Sequence, residues 1–406
     1  MGFVHLHVHS EYSALDGMIR LADGFKEAES LGQPALALTE HGNLASAWAA
    51  QAVADRLGVK FIPGCEFYLA AGDRHARTPV WVPTDDNSTD EGSERTEDEY
   101  EDDSTHAGMK ARAYMHLTVL ARTPEGWRNL VKLNNLAQES IWHKPRIDMS
   151  ALAAHSDGLI VLTGCLGGPV LGPAVRGNWD EAEENLLQII AAVGAENTYV
   201  EVMEHGNAAE SAALPELVAL AGKHGVGVVA TNDAHHTHED EQEAHAAWLL
   251  VQSKSTFAKP KFQFHGGGYW LRSEAEMRAL RPEQWWQDAC DTTEVIAGRC
   301  AERSLPHPRN LMPTFVIPDG FATNRDYLFH LLREGASTRY GGIDGPLRER
   351  VMAEMDVIES AGMVDYFLVV HDLIDWARST RSSVPGGPEK KPILVGPGRG
   401  SAGGSE

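Results

Sequence analysis

The 406-residue chain carries 58 acidic and 35 basic side chains, a formal net charge of -23, 19 histidines and 4 cysteines. Its length predicts two or three domains at roughly 100–200 residues each, and a hydrophobic content of 43% is too high for a disordered chain. No apolar run approaches the ~18–20 residues of a membrane span. The N-terminal text MGFVHLHVHS lacks the basic-then-apolar order of a signal peptide, and the cysteines, widely spaced and without a CxxC pair, make neither a disulfide framework nor a zinc finger. The expected setting is cytoplasmic, with no membrane partner. The net charge argues against generic polyanion binding, and the histidines argue for metal chemistry.

In chain order, strand-like text at 3–9, 35–39, 60–63, 114–121, 159–163, 199–203 and 227–231 alternates with helix-like text at 18–31, 45–57, 124–138, 179–193 and 208–224. In the first helical stretch Ile19, Ala22, Phe25, Ala28 and Leu31 recur at three- and four-residue steps, as one buried face requires. About seven strand–helix units predict a parallel β/α architecture, with functional residues at the C-terminal ends of the strands. Residues 85–103 interrupt the pattern with eleven carboxylates against Arg95 alone. That run reads as a solvated, disordered insert spanning about 84–106, the alternative being an acidic arm for a basic partner. After Trp270 the text becomes mostly helical, at 273–303 and 324–379, and ends in a Gly-rich loop as if in mid-domain. The expected division is 1–275 and 276–406.

Metal-capable side chains cluster at the predicted strand ends. HLHVHS supplies His7 and His9, two residues apart and so on one face of a strand; His5 lies one step deeper and is expected to be packed. SALDG adds Asp16, LTEHGN His41, PGCEFY Glu66, YMHLTVL His116, VLTGCLGG Cys165, and VVATNDAHH Asp233 and His235. Each of these alone has an ordinary reading as a core or loop residue. Their coincidence at one end of the strands predicts a shared site. One tetrahedral metal takes about four ligands, so nine suit two or three cations with bridging carboxylates. Imidazole, carboxylate and one thiolate suit Zn²⁺, Mn²⁺ or Fe²⁺ better than Mg²⁺ or Ca²⁺. Multinuclear sites of this kind are suited to phosphoester hydrolysis.

These motifs, in this order and spacing, resemble the PHP (polymerase and histidinol phosphatase) domain, in particular the version that opens the alpha subunits of bacterial DNA polymerase III, the C-family replicases. GGGYWLRSEAEM, LMPTFVIPDG, DYFLVVHDLI and VGPGRGSAGGS resemble the same subunits further along. The resemblance covers essentially the whole chain apart from the acidic insert. It implies a distorted (β/α)7 barrel followed by the start of a polymerase palm. It also implies a trinuclear centre on His7, His9, Asp16, His41, Glu66, His116, Cys165, Asp233 and His235, acting as a metal-dependent 3′→5′ exonuclease that proofreads primer ends. DNA, above all a single-stranded primer 3′ end, and the replisome with its sliding clamp and clamp loader are the partners it implies. Gly398, Arg399, Gly400 and Ser401 would cradle an incoming triphosphate. The family's PDIDxDF-like carboxylate motif is not in the sequence, so this chain alone is not expected to polymerise DNA. Glu40 stands where the family usually has Asp, which bears on how His41 is supported. The rival readings are a metal-stabilised scaffold without catalysis and a phosphatase for small monoesters.

Overall fold

The structure, a computed structural model, describes residues 2–77, 80–83, 109–112, 114–264, 266–307, 311–379, 393 and 395–396. The acidic insert and Gly398, Arg399, Gly400 and Ser401 lie outside the described residues. The chain divides into two compact units, 1–306 and 307–406.

In the first unit, helices and strands alternate. The helices are α1 (Leu21–Ser30), α2 (Ala47–Leu57), α3 (Pro124–Glu139), α4 (Met149–Ala154), α5 (Leu171–Val175), α6 (Trp179–Val193), α7 (Ala208–His224), α8 (Gln242–Gln252), α9 (Glu274–Ala279) and α10 (Gln284–Arg299). A seven-stranded sheet runs β1 (Ala35–Leu38), β2 (Lys60–Leu69), β5 (Met115–Ala121), β7 (Leu159–Leu162), β8 (Thr198–Val202), β9 (Gly227–Ala230), with the two-residue β6 (Arg146–Ile147) on β2. A separate antiparallel pair, β3 (Val80–Pro83) with β4 (Met109–Arg112), flanks the acidic segment.

Two features depart from the sequence expectation. The segment 3–9 is not a continuous strand. It makes single bridges, His5 to Leu36 and Val8 to Ala234, backed by Ala37 N–H to the His5 carbonyl and His9 N–H to the Ala234 carbonyl. It thereby links both edges of the sheet, a task that isolated bridges accomplish without a full ladder. The sheet is also not wholly parallel: β5 runs antiparallel to β2 and to β7. The described residues between β2 and β5 form the β3–β4 pair and no helix, and antiparallel neighbours, unlike parallel ones, need no crossover helix.

Strand alternation sorts the side chains. One face packs on the helices: Phe67 and Leu69 of β2, Leu117 and Val119 of β5, and Val200 and Val202 of β8 join Leu133, Leu186 and Leu217 in one core. The opposite face carries Ile62, Leu120, Leu162, Tyr199 and Val229. Two and four residues further along these same faces stand Glu66, Thr118, His116 and Glu201. The apolar layer is completed by Ile296, Ala297 and Cys300 from the last turns of α10 and the residue that follows it. Trp286 of α10 is fully buried and donates its Nε1–H to the Met277 carbonyl at 2.8 Å. These burials explain why α9 and α10 belong to the first compact unit, which ends at Pro306.

In the second unit, α11 (Asn324–Tyr340), α12 (Gly345–Ser360) and α13 (Val364–Ser379) pack around Leu328, Val351, Met355 and Leu368. No helix among the described residues is long and apolar enough to cross a membrane.

Candidate metal centre

All nine residues singled out from the sequence meet at one end of the sheet. His7 and His9 come from the bridging segment. Immediately after it the chain reverses: Leu15 takes a left-handed φ of 65°, and a Cβ on Gly17 would stand 2.4 Å from the Ser10 carbonyl. Only glycine therefore lets the chain fold back here and bring Asp16 to His41 and His235. Glu66 lies near the end of β2. His116 lies at the start of β5, which the antiparallel direction places opposite Tyr68, at the same end of the sheet as Glu66. Cys165 follows β7 on a turn whose Gly164 has φ 85° and no room for a Cβ, the His116 carbonyl being 2.6 Å away. Asp233 and His235 follow β9; Asp233 itself is held at φ 42°, a strained conformation of the kind found at functional sites.

Glu66 is the hub. Its Oε1 lies 3.2 Å from His116 Nδ1, 3.4 Å from His7 Nε2 and 3.7 Å from Cys165 Sγ; its Oε2 lies 2.7 Å from His41 Nδ1 and 3.5 Å from His9 Nε2. Asp16 Oδ2 faces His41 Nε2 at 2.6 Å and His235 Nε2 at 3.1 Å. Asp233 Oδ1 faces His9 Nε2 at 3.2 Å and His7 Nε2 at 3.4 Å. Three sets of ligand atoms lie within 4.8 Å of one another: His9, His41 and His235; His7, His9 and Glu66; and His41, Glu66 and His116.

Charge follows from this crowding. Burial opposes ionisation of Glu66, but the imidazoles of His116, His41 and His7 hold its carboxyl well below the usual carboxylate range. Asp16, buried, and Asp233, half-buried, are depressed in the same way by their own histidine neighbours. Burial, reinforced by His41 and His235, pushes His9 down to about 3. Burial lowers His7 too, but Asp233, Glu201 and Glu66 outweigh it and hold His7 well above its ordinary value. His5 is packed, as expected: it is buried against the Arg272 carbonyl and pushed down to about 4 by that burial.

Several supports were not singled out from the sequence. Glu201 of β8, fully buried, accepts from His7 Nδ1 at 2.8 Å, from Thr231 Oγ1 at 2.7 Å and from the Gly164 N–H at 2.8 Å. It thus ties the His7 ring to the turn that carries Cys165. The available signal was a lone carboxylate within TYVEV, on the parity of Tyr199. Ser13 lies 3.0 Å from His9 Nδ1 and accepts from the His41 N–H, while donating to Glu40. Glu40 also accepts from the Ser10 N–H. The acid preceding His41 therefore supports His9 and His41 through Ser13. His245 of α8 donates from Nε2 to the Asp16 carbonyl at 3.1 Å.

The donor set fits divalent cations. His7 Nε2, His9 Nε2, Asp16 Oδ1 and Asp233 Oδ1 are buried and, among the described residues, have no hydrogen-bond partner. Buried polar atoms are ordinarily satisfied, and these four sit where several ligand groups converge. A carboxylate bonded to the far nitrogen of an imidazole, as Glu201 is to His7, is the common way to orient a metal-ligating histidine.

Residues 5–205 match the PHP domain family, and residues 326–406 match the bacterial DNA polymerase III alpha NTPase domain. The chain carries a PHP domain and a region of the bacterial DNA polymerase III alpha NTPase domain family. The PHP match ends after β8, so the Asp233–His235 segment lies beyond it. Over 403 residues the chain is 36% identical to DNA polymerase III subunit alpha of Treponema pallidum, covering 99% of this chain and 31% of that protein. It is 38% identical over 411 residues to the subunit of Saccharopolyspora erythraea, covering 99% and 32%. The chain thus spans about a third of the length of the curated relatives it matches. Among solved structures, an amidohydrolase from Chromobacterium violaceum aligns over 69% of this chain and 98% of its own, with 13% identity and a TM-score of 0.32.

Proposed function

We propose that the PHP unit is a metal-dependent phosphodiesterase that removes nucleotides from DNA 3′ ends, within the alpha subunit of a bacterial replicative polymerase. The observation that carries this reading is the convergence of nine metal-capable side chains on one cluster, five of them on the carboxylate of Glu66, with four buried ligand atoms that have no hydrogen-bond partner among the described residues. Zn²⁺ or Mn²⁺, with Fe²⁺ as the third choice, suits this mixed nitrogen, oxygen and sulfur set. When bound, such cations stabilise charge on phosphate oxygens and acidify water.

The chain's own residues divide the remaining work. Glu66 presents both carboxylate oxygens to opposite halves of the cluster and is placed to bridge. Asp16 and Asp233 stay ionised at neutral pH and anchor the two sides. His9, neutral down to about pH 3, offers its lone pair throughout the physiological range. Glu201 accepts from His7 Nδ1 and so turns Nε2 toward the cluster. With ligands of this kind, phosphate is held by cations rather than by a basic face, so the acidic balance of the chain is compatible with a DNA substrate. Gly398, Arg399, Gly400 and Ser401 are proposed to bind a nucleoside triphosphate in the larger protein, and the clamp and clamp loader are its proposed partners in the cytoplasm.

The test is the purified chain with 5′-labelled single-stranded and mismatched-primer DNA in Mn²⁺ or Zn²⁺. Stepwise shortening with release of nucleoside monophosphates, abolished by Asp233→Asn, is expected. Bound metal with no cleavage in any cation would favour the scaffold reading, and activity on p-nitrophenyl phosphate alone would favour a monoesterase.

A further inference from the structure

Beside the cluster lies a cavity of about 30 Å³ that the nine residues do not account for. His116, Cys165 and Asp233 form one side of it; His205, Glu210 and Tyr269 form another. Glu210 sits in the first turn of α7, where an acid usually serves the helix dipole from the surface. Here it is 1% exposed, and its Oε2 has no hydrogen-bond partner among the described residues. The facing group is His205 Nδ1, 3.7 Å away, too far for a hydrogen bond. The other ring nitrogen of His205 lies 3.2 Å from the Asn232 carbonyl and donates to it. The ring is stacked on Tyr269 at 4.1 Å and 11°, which keeps it in that orientation. Glu210 Oε2 is therefore a buried acceptor against this space with no hydrogen bond to it among the described residues, an arrangement that is costly until a donor arrives.

Size and charge narrow the donor. A water needs about 10–15 Å³ of such space, so the cavity admits a hydroxyl or about two to three waters. A carboxylate repels phosphate. His205 and Glu210 by themselves fall short of the about four ligands that a cation takes, and His116, Cys165 and Asp233 on the other side already belong to the cluster. Tyr269 and Phe264, their rings 4.6 Å apart, and Met203 supply the apolar wall that the carbon skeleton of a sugar would need.

We propose that Glu210 and His205 form a subsite for a sugar hydroxyl of the nucleotide whose phosphate lies at the metal centre. This rests on the phosphodiesterase reading and makes the pair a determinant of specificity for the sugar end of the substrate. The hydroxyl has two sources, the 3′-hydroxyl of a terminal deoxynucleotide or the 2′-hydroxyl of a ribonucleotide.

Calorimetric binding to the full chain in Mn²⁺ separates them, using the 5′-monophosphates of 2′-deoxyadenosine, 3′-deoxyadenosine and 2′,3′-dideoxyadenosine. One of the first two is expected to bind about tenfold more tightly than the dideoxy nucleotide, and which one it is names the source. Glu210→Met should erase that difference and leave dideoxy affinity unchanged. Glu210→Gln, which keeps the side-chain size, should reduce it at least about threefold and serves if the methionine variant does not fold. Equal binding of all three nucleotides by the wild type, or discrimination that survives both substitutions, would overturn the subsite. Discrimination without any DNA hydrolysis would overturn the exonuclease reading and keep the subsite; hydrolysis without discrimination would do the reverse.

Discussion

A carboxylate buried in an apolar strand is costly unless its lone pairs are used, and Glu201 uses both oxygens. The Glu201→Gln side chain keeps the volume but puts an amide nitrogen against either the Gly164 N–H or His7. Metal affinity should fall about 10–100-fold, read by competition against a chromophoric chelator, while the far-ultraviolet circular dichroism stays native. Asp233→Asn removes the charge that faces both His7 and His9; metal analysis should show fewer ions per chain than in the wild type. At this scale the sequence was highly legible where chemistry is local. HxH, LDG, TEHG, GCE and NDAH each put a ligand type next to a strand end or a tight turn. Glu201, Ser13, His205 and Glu210 were not legible, because each matters only through a partner brought to it by folding.

Elements decide which of those local patterns face each other. His116 reaches Glu66 because β5 runs backwards between β2 and β7, and no pattern within YMHLTVL states the direction of its strand. The helices were read closely, with α6 and α7 at their expected limits and α1 and α2 within three residues at each end, since amphipathic periodicity and caps are local signals. Asp148 shows such a cap holding more than its own helix. It accepts from the Ala151 N–H at 2.7 Å, opening α4, and from both the main chain and the guanidinium of Arg74. Burial raises its pKa, but these donors outweigh that and hold the carboxyl below its ordinary value. Because the folded-state pKa is depressed, the stabilisation is fully present above the unfolded aspartate pKa of about 3.9 and is lost as pH falls through the folded value. Asp148→Ala should cost about 1 kcal/mol at neutral pH, measured by urea denaturation, and the deficit should vanish in acid. Trp286→Ala should cost about 3–5 kcal/mol, lowering the urea midpoint, if α10 is as integral to the first unit as its burial indicates.

At the scale of the whole molecule the chain is two compact units, and only the first contains the candidate metal centre. Because cations would bind the folded cluster and not the unfolded chain, their occupancy adds to the stability of that unit. Chelation should lower the melting temperature of a 1–306 fragment by about 5–10 °C. Scanning calorimetry of the full chain should show a second transition, from the helical unit, that does not move.

The sequence by itself determined the family resemblance, the alternation of strands and helices, the nine candidate ligands and the acidic interruption. All of these depend on residue type and short spacing. Tertiary structure alone decided the backward run of β5, the bridging role of residues 3–9, the placement of α9 and α10 with the first unit, and the pairing of Glu201 with His7 and of Glu210 with His205. Those relations join residues far apart in the chain. They are selected by which buried faces and buried charges satisfy one another, a choice that packing makes and local sequence does not record.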